Sequence, residues 1–137
     1  MRALAAPFAA LALAGCVSVD VDASLICDGG LKATTTAELV FGRNIGGALG
    51  VSDADWKAFV DTEVTPRFPD GLTVLDAAGQ WRGASGAIVA EPSKVLLLVL
   101  SGAPGEAEKV EAIRAAYKAR FRQEAVLLIE RSACVGF

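Results

Sequence analysis

The chain contains no histidine among its 137 residues. That absence removes the imidazole base on which Ser-His-Asp and Cys-His nucleophile activation depend, and with it histidine metal ligation. Cysteine is scarce, at three residues, and no Cys-x-x-Cys pair occurs, which excludes a thiol redox motif and a four-thiolate zinc site. There is no Walker-type phosphate loop and no G-x-G-x-x-G. The glycines of Gly42–Gly47 have the wrong spacing and follow a strand without opening a helix. Ser93 and Lys94 are adjacent, whereas a Ser-Lys hydrolase needs them three apart. Positive charge is also short. Thirteen Lys and Arg against 16 Asp and Glu leave a net charge of −3, so no bulk positive field draws nucleic acid. No apolar run reaches the ~18 residues of a membrane-spanning helix. No internal repeat is present, and no motif calls for a cofactor or a metal.

What is present begins with an address. Met1–Gly15 carries one positive residue, Arg2, then an apolar run of Ala and Leu, then small residues. That is the build of a secretory signal. The string Leu13-Ala14-Gly15-Cys16 resembles a bacterial lipobox, which implies cleavage before Cys16 and acylation of its sulfur and amine. Several acyl chains anchor stably where one does not. Residue Val17 follows the lipidation site in place of Asp, which by resemblance to enteric lipoproteins favours the outer membrane over the inner. The alternative is an ordinary signal with an incidental cysteine. Residues 16–36 then read as the lipidated Cys and a tether, within which Val17–Asp22 alternates like a strand. Residues 37–137 read as a single domain.

Cys27 and Cys134 remain once Cys16 is lipidated. Export places them in an oxidising compartment, and their number is even. One precedes the first domain strand and the other lies in the last, so a bridge is the expected state if those strands are neighbours. The alternative is a pair of buried free thiols.

Periodicity and punctuation divide the domain into six elements. Glu38–Ile45 alternates as a strand, and Gly46-Gly47 loops. Ser52 can cap a helix whose first turn holds Asp53 and Asp55, with Val51 stapled onto Trp56. Trp56, Phe59, Val60 and Val64 mark its buried stripe, and Pro66 ends it. Leu72–Arg82 is the second strand, kinked at Ala78-Gly79, and Gly83–Gly86 the turn. Ala87–Leu100 returns, with Pro92 at a bulge or an unpaired edge. Val95–Leu100 is apolar at every position, which predicts a strand covered on both faces. Val110, Ile113, Tyr117 and Phe121 stripe the second helix, acidic at its start and basic at its end. Val126–Phe137 is the last strand. The order β-α-β-β-α-β is that of an α+β, ferredoxin-like plan: an antiparallel sheet, both helices on one face, and a long hairpin arm.

The segments ELVFGRNI, SDADWKAFVDTEVTPRFPDGLTVLDAAGQWR, EPSKVLLLVL, EAIRAAYKARF and SACVGF together resemble the bacterial lipoprotein family called domain of unknown function 3574, from about Glu38 to Phe137. The resemblance implies an envelope location and carries no assigned activity.

Apolar residues on both faces of the third and last strands predict that something covers the outer sheet face. A second copy of the chain does so at least cost, which predicts a homodimer. Candidate ligand contacts are Arg43, Arg67, Trp81 and Arg82, with Lys94: guanidinium groups beside an indole suit an anionic or aromatic molecule. Their bland reading is salt bridges and a dimer rim. Lys118, Arg120 and Arg122 form a cation cluster that an anchor brings near lipid headgroups. The leading expectation is a non-enzymatic, lipid-anchored, periplasm-facing domain that works through protein contacts. A small-ligand module or a cofactor-free enzyme of the dimeric α+β barrel kind are the alternatives.

Overall fold

A computed structural model describes residues 25–82 and 85–137. Cys16, the signal segment and the alternating Val17–Asp22 lie outside the described residues. The elements are β1 (Lys32–Gly42), β2 (Asn44–Ile45), β3 (Ala48–Leu49), α1 (Asp53–Phe59) running into a π-helical turn (Val60–Val64), β4 (Thr73–Arg82), β5 (Ile88–Leu100), α2 (Glu106–Phe121) and β6 (Leu127–Val135). The four long strands form one antiparallel sheet in the order β4-β5-β1-β6, and β2 and β3 make a small separate hairpin.

Strand alternation decides which side chains meet the helices. Ala37, Leu39 and Phe41 of β1 and Leu96, Leu98 and Leu100 of β5 are buried on one face. Trp56, Phe59 and Val64 from the first helical segment, and Val110, Ile113, Tyr117 and Phe121 from α2, close over them in a single cluster. Both helices therefore lie on the same side of the sheet. An aromatic knot sits at the centre: Tyr117 stands 4.7 Å from Phe41 and 5.0 Å from Phe59 between ring centroids, edge to face as the ring quadrupoles prefer.

Helix α1 starts as its sequence dictates. Ser52 Oγ accepts from the Asp55 N–H at 3.1 Å, and the Asp55 carboxylate accepts from the Ser52 N–H at 3.1 Å, closing a capping box. The last turn is wider than the α pitch: Thr65 N–H donates to Val60 O at 2.9 Å, a five-residue step. That step keeps Val64 on the core side with Phe59, both fully buried, where an α-helix would swing the fifth residue further round. Pro66, which has no N–H to donate, follows at once.

Three expectations change. Strand β1 begins at Lys32, so residues 32–36 belong to the sheet and not to a tether. Paired with β6 from Lys32↔Val135 onward, they have a ladder to join. The loop after β1 contains the β2–β3 hairpin around Gly46-Gly47, both at positive φ. The kink expected at Ala78-Gly79 is absent, because the β4–β5 register continues unbroken through Gly79↔Glu91 to Arg82↔Ile88. Pro92 fits because its carbonyl accepts from the Arg43 N–H at 3.0 Å, at the point where β1 leaves the ladder. In an antiparallel strand a residue's N–H and C=O face the same neighbour, so the donor that Pro92 lacks would face Arg43, whose carbonyl accepts from the Gly50 and Val51 N–H groups instead.

Cys27 and Cys134 form a disulfide, with Cα atoms 5.6 Å apart and a sequence separation of 107. It ties the segment ahead of β1 to the edge strand β6. Among the described residues, no helix is long and apolar enough to cross a membrane.

Candidate functional site

The face of the sheet away from the helices is open and largely apolar. Leu75, Val95, Val40 and Leu127 stand directly opposite one another across all four strands. Leu75 is 52% exposed and Leu127 56%. The next row holds Thr73, Leu97, Glu38 and Ile129, and Arg131 pairs with Glu38 at 3.3 Å.

At one end of this face lies a groove of about 650 Å³. Its floor is Val40, Ser93 and Leu127; one wall is Trp81, Val89 and Glu91 of the hairpin arm. The other wall is the Gly46-Gly47 turn and the segment after α2, Arg122–Ala125. A short polar chain holds these walls together. The Glu91 carboxylate accepts from the Asn44 N–H at 2.8 Å, and Gln123 Nε2 donates to Asn44 O at 2.7 Å. Beneath them, Tyr117 Oη donates to Gly42 O at 2.8 Å, and burial pushes that phenol's pKa up. Gly42 leaves the Glu91 carboxyl group its place. A Cβ on it would stand 2.6 Å from the Glu91 carboxyl group, which lies directly over it.

On the helix side, a second polar cluster sits where α1 begins. Arg43 Nε donates to Val51 O at 2.9 Å, and its guanidinium reaches Asp53 at 3.1 Å. Lys94 also reaches Asp53, at 3.1 Å, and is bridged to Asp76 across the β4–β5 pair. Hydrogen bonding by Lys94 and the charge of Arg43 hold the Asp53 carboxyl below its ordinary range. The Asp76 bond raises Lys94 in turn. Arg43 and Lys94 are buried, and these contacts account for both: they splint the start of α1 to the sheet.

The sequence-predicted ligand residues separate. Arg43 is committed to that splint. Arg67 donates to the carbonyl and the carboxylate of Glu63, at 2.6 and 2.9 Å, at the end of the first helix. Arg82 donates to Gly86 O at 3.0 Å across the arm. Trp81 and Arg82, being consecutive in a strand, face opposite sides. Trp81 alone of the four lines the groove, so a convergent arginine site is not formed. The α2 cations separate too. Arg120 lies over Phe121, 5.4 Å from its ring centre, whereas Arg122 lines the groove. Glu91 was not singled out from sequence, because its closeness to Gly42 and Asn44 depends on the β5–β1 register. Among the described residues no group of carboxylates and thiols gathers as a metal site.

The sequence model of one family, described as "Protein of unknown function (DUF3574)", matches residues 36–137. The chain belongs to that family. No curated protein matches this DUF3574 member. Among solved structures it is similar to a phage SAM lyase in complex with S-methyl-5'-thioadenosine, at 22% identity and a TM-score of 0.61, over 80% of this chain and 88% of that one. The same phage lyase in its apo state gives 21% and 0.58. CutA from Synechococcus elongatus gives 10% and 0.50, over 76% of this chain and 80% of that one. At these identities the likeness describes the fold: a mixed α/β chain with an antiparallel sheet and two helices.

Proposed function

We propose that this DUF3574 chain is an exported domain, lipidated at Cys16 and facing the periplasm from the outer membrane, that works through contacts of its open sheet face. Its first partner on that face is a second copy of itself. The architecture on this reading is ferredoxin-like, supported by the strand order β4-β5-β1-β6, the antiparallel pairing and the helices sharing one side. The observation that carries the proposal is the row Leu75–Val95–Val40–Leu127, apolar on every strand and half exposed at both ends. Glu38 and Arg131 neutralise each other beside it, so a second copy meets no unbalanced charge there. Covering a half-exposed leucine is worth about 1 kcal/mol, and a two-fold contact counts each residue twice.

Native mass measurement of the full chain in mild detergent tests this. The expected result is a dimer that Leu75→Glu with Leu127→Glu converts to monomer. A wild-type monomer at micromolar concentration overturns the assembly.

A second reading, a small-molecule binding module, is favoured by the groove of about 650 Å³, a volume within the ~300–1,000 Å³ of ordinary ligand sites. One similar structure, the phage lyase, holds a small molecule of its own.

A further inference from the structure

The groove has an electrostatic sign. Three of its lining residues are charged: Glu91 on the arm, and Arg122 with Glu124 on the opposite wall. Arg122 and Glu124 offset each other, and Glu91 is left as the uncompensated charge. One Glu91 oxygen is taken by the Asn44 N–H at 2.8 Å. Among the described residues no hydrogen bond reaches the other oxygen, and neither a salt bridge nor a side-chain cation balances the group.

Trp81 supplies the second half of a cation seat. Gly79 pairs with Glu91 and Trp81 with Val89, so Trp81 and Glu91 are diagonal neighbours on one face, with Cβ atoms roughly 7 Å apart. The Glu91 carboxylate lies toward Gly42 and Asn44, and an ammonium-sized head that takes its free oxygen from within the groove would gain a cation–π contact if the Trp81 indole stands within ~6 Å. Trp81 is 46% exposed, so its ring is open to such a contact. Around the seat, Val40 and Leu127 of the floor and Val89 of the wall are apolar. Gly42 matters to this arrangement: only without a Cβ can the Glu91 carboxylate lie back against the strand and leave the groove free.

The geometry points to a binding site for a small organic cation, a protonated amine on an apolar or planar body, with its charge held between Glu91 and Trp81. This inference rests on the binding-module reading and names its ligand class.

The test uses the purified full chain in mild non-ionic detergent at neutral pH, with three probes that share a phenyl ring: phenethylamine, 2-phenylacetamide and 3-phenylpropionate. Binding is read by tryptophan fluorescence, since Trp56 is buried and Trp81 exposed. Phenethylamine is expected to quench saturably and to bind roughly tenfold more tightly than the neutral and anionic probes. Glu91→Gln is expected to abolish that preference while keeping an oxygen for the Asn44 N–H, and Trp81→Leu to abolish the quench; circular dichroism checks that both variants fold. Equal binding of the three probes, or a preference that survives Glu91→Gln, overturns the cation seat and leaves the binding module standing. Saturable binding by none of the three overturns both.

Discussion

Asp53 is exposed, yet it joins three elements: it opens α1 and receives Arg43 from the end of β1 and Lys94 from β5. Its pKa is lowered by these partners, and those of Asp55 and Glu106 are lowered as well. For Asp55 the cause is Ser52 hydrogen bonding; for Glu106, hydrogen bonds from Ser101, Gly102 and Ala103 outweigh burial. A carboxyl held below its ordinary value binds fewer protons folded than unfolded, so its stabilisation is present above about pH 4 and is lost as pH falls through the lowered value. Lys94 is raised above its ordinary 10.5, so its contribution is present below that value and disappears only at higher pH. Thermal unfolding should therefore lose stability on the acid side below about pH 4. Asp53→Asn should shrink that acid loss while leaving the alkaline side, where Asp76 still holds Lys94, much less changed. At this scale much was legible. The Ser52 cap is local chemistry written in four consecutive residues, and the cysteines were few enough to pair. The arginines were not, because which side of a strand Arg43 or Arg82 faces, and what waits there, depends on pairing partners far along the chain.

At the scale of elements, the disulfide is the largest single constraint outside the core. Cys27 lies ahead of β1 and Cys134 within β6, and the loop they close spans almost the whole described body. On the chain-entropy account such a closure is worth about 4–5 kcal/mol. Changing both cysteines to serine should lower the urea-unfolding free energy toward that amount, with the groove's probe binding retained, since the bridge sits away from it. A loss under about 1 kcal/mol would show that β1–β6 pairing alone fixes this edge. Strands β4 and β5, helix α2 and the capped start of α1 were readable because period and punctuation agree there. The π-helical turn was not. Nothing in Val60–Val64 announces it; the wider turn brings Val64 into the core with Phe59 just before Pro66 stops the helix. The β2–β3 hairpin was missed for a similar reason, being only two residues a side.

Taken as a whole molecule, the chain separates its two faces by residue parity, and the groove is assembled from four segments distant in sequence. That non-locality is why composition and spacing predicted a covered outer face, and a cavity there only as an alternative, and of the four proposed lining residues placed only Trp81 correctly. The proposed address at the N-terminus belongs to this scale too. Expressed in a bacterial host, the full chain should fractionate with membranes, and Cys16→Ser should move it to the soluble fraction; a wild-type chain found wholly soluble would remove the anchor from the proposal. On that proposal the domain is also a loaded one. Any pull on residues ahead of Cys27 divides there, part through the sulfur bridge into Cys134 of β6 and part along the backbone to Lys32, where β1 begins. Force that would otherwise enter β1 alone is shared by β1 and β6, which are loaded at the same end of their ladder and so pull as a pair.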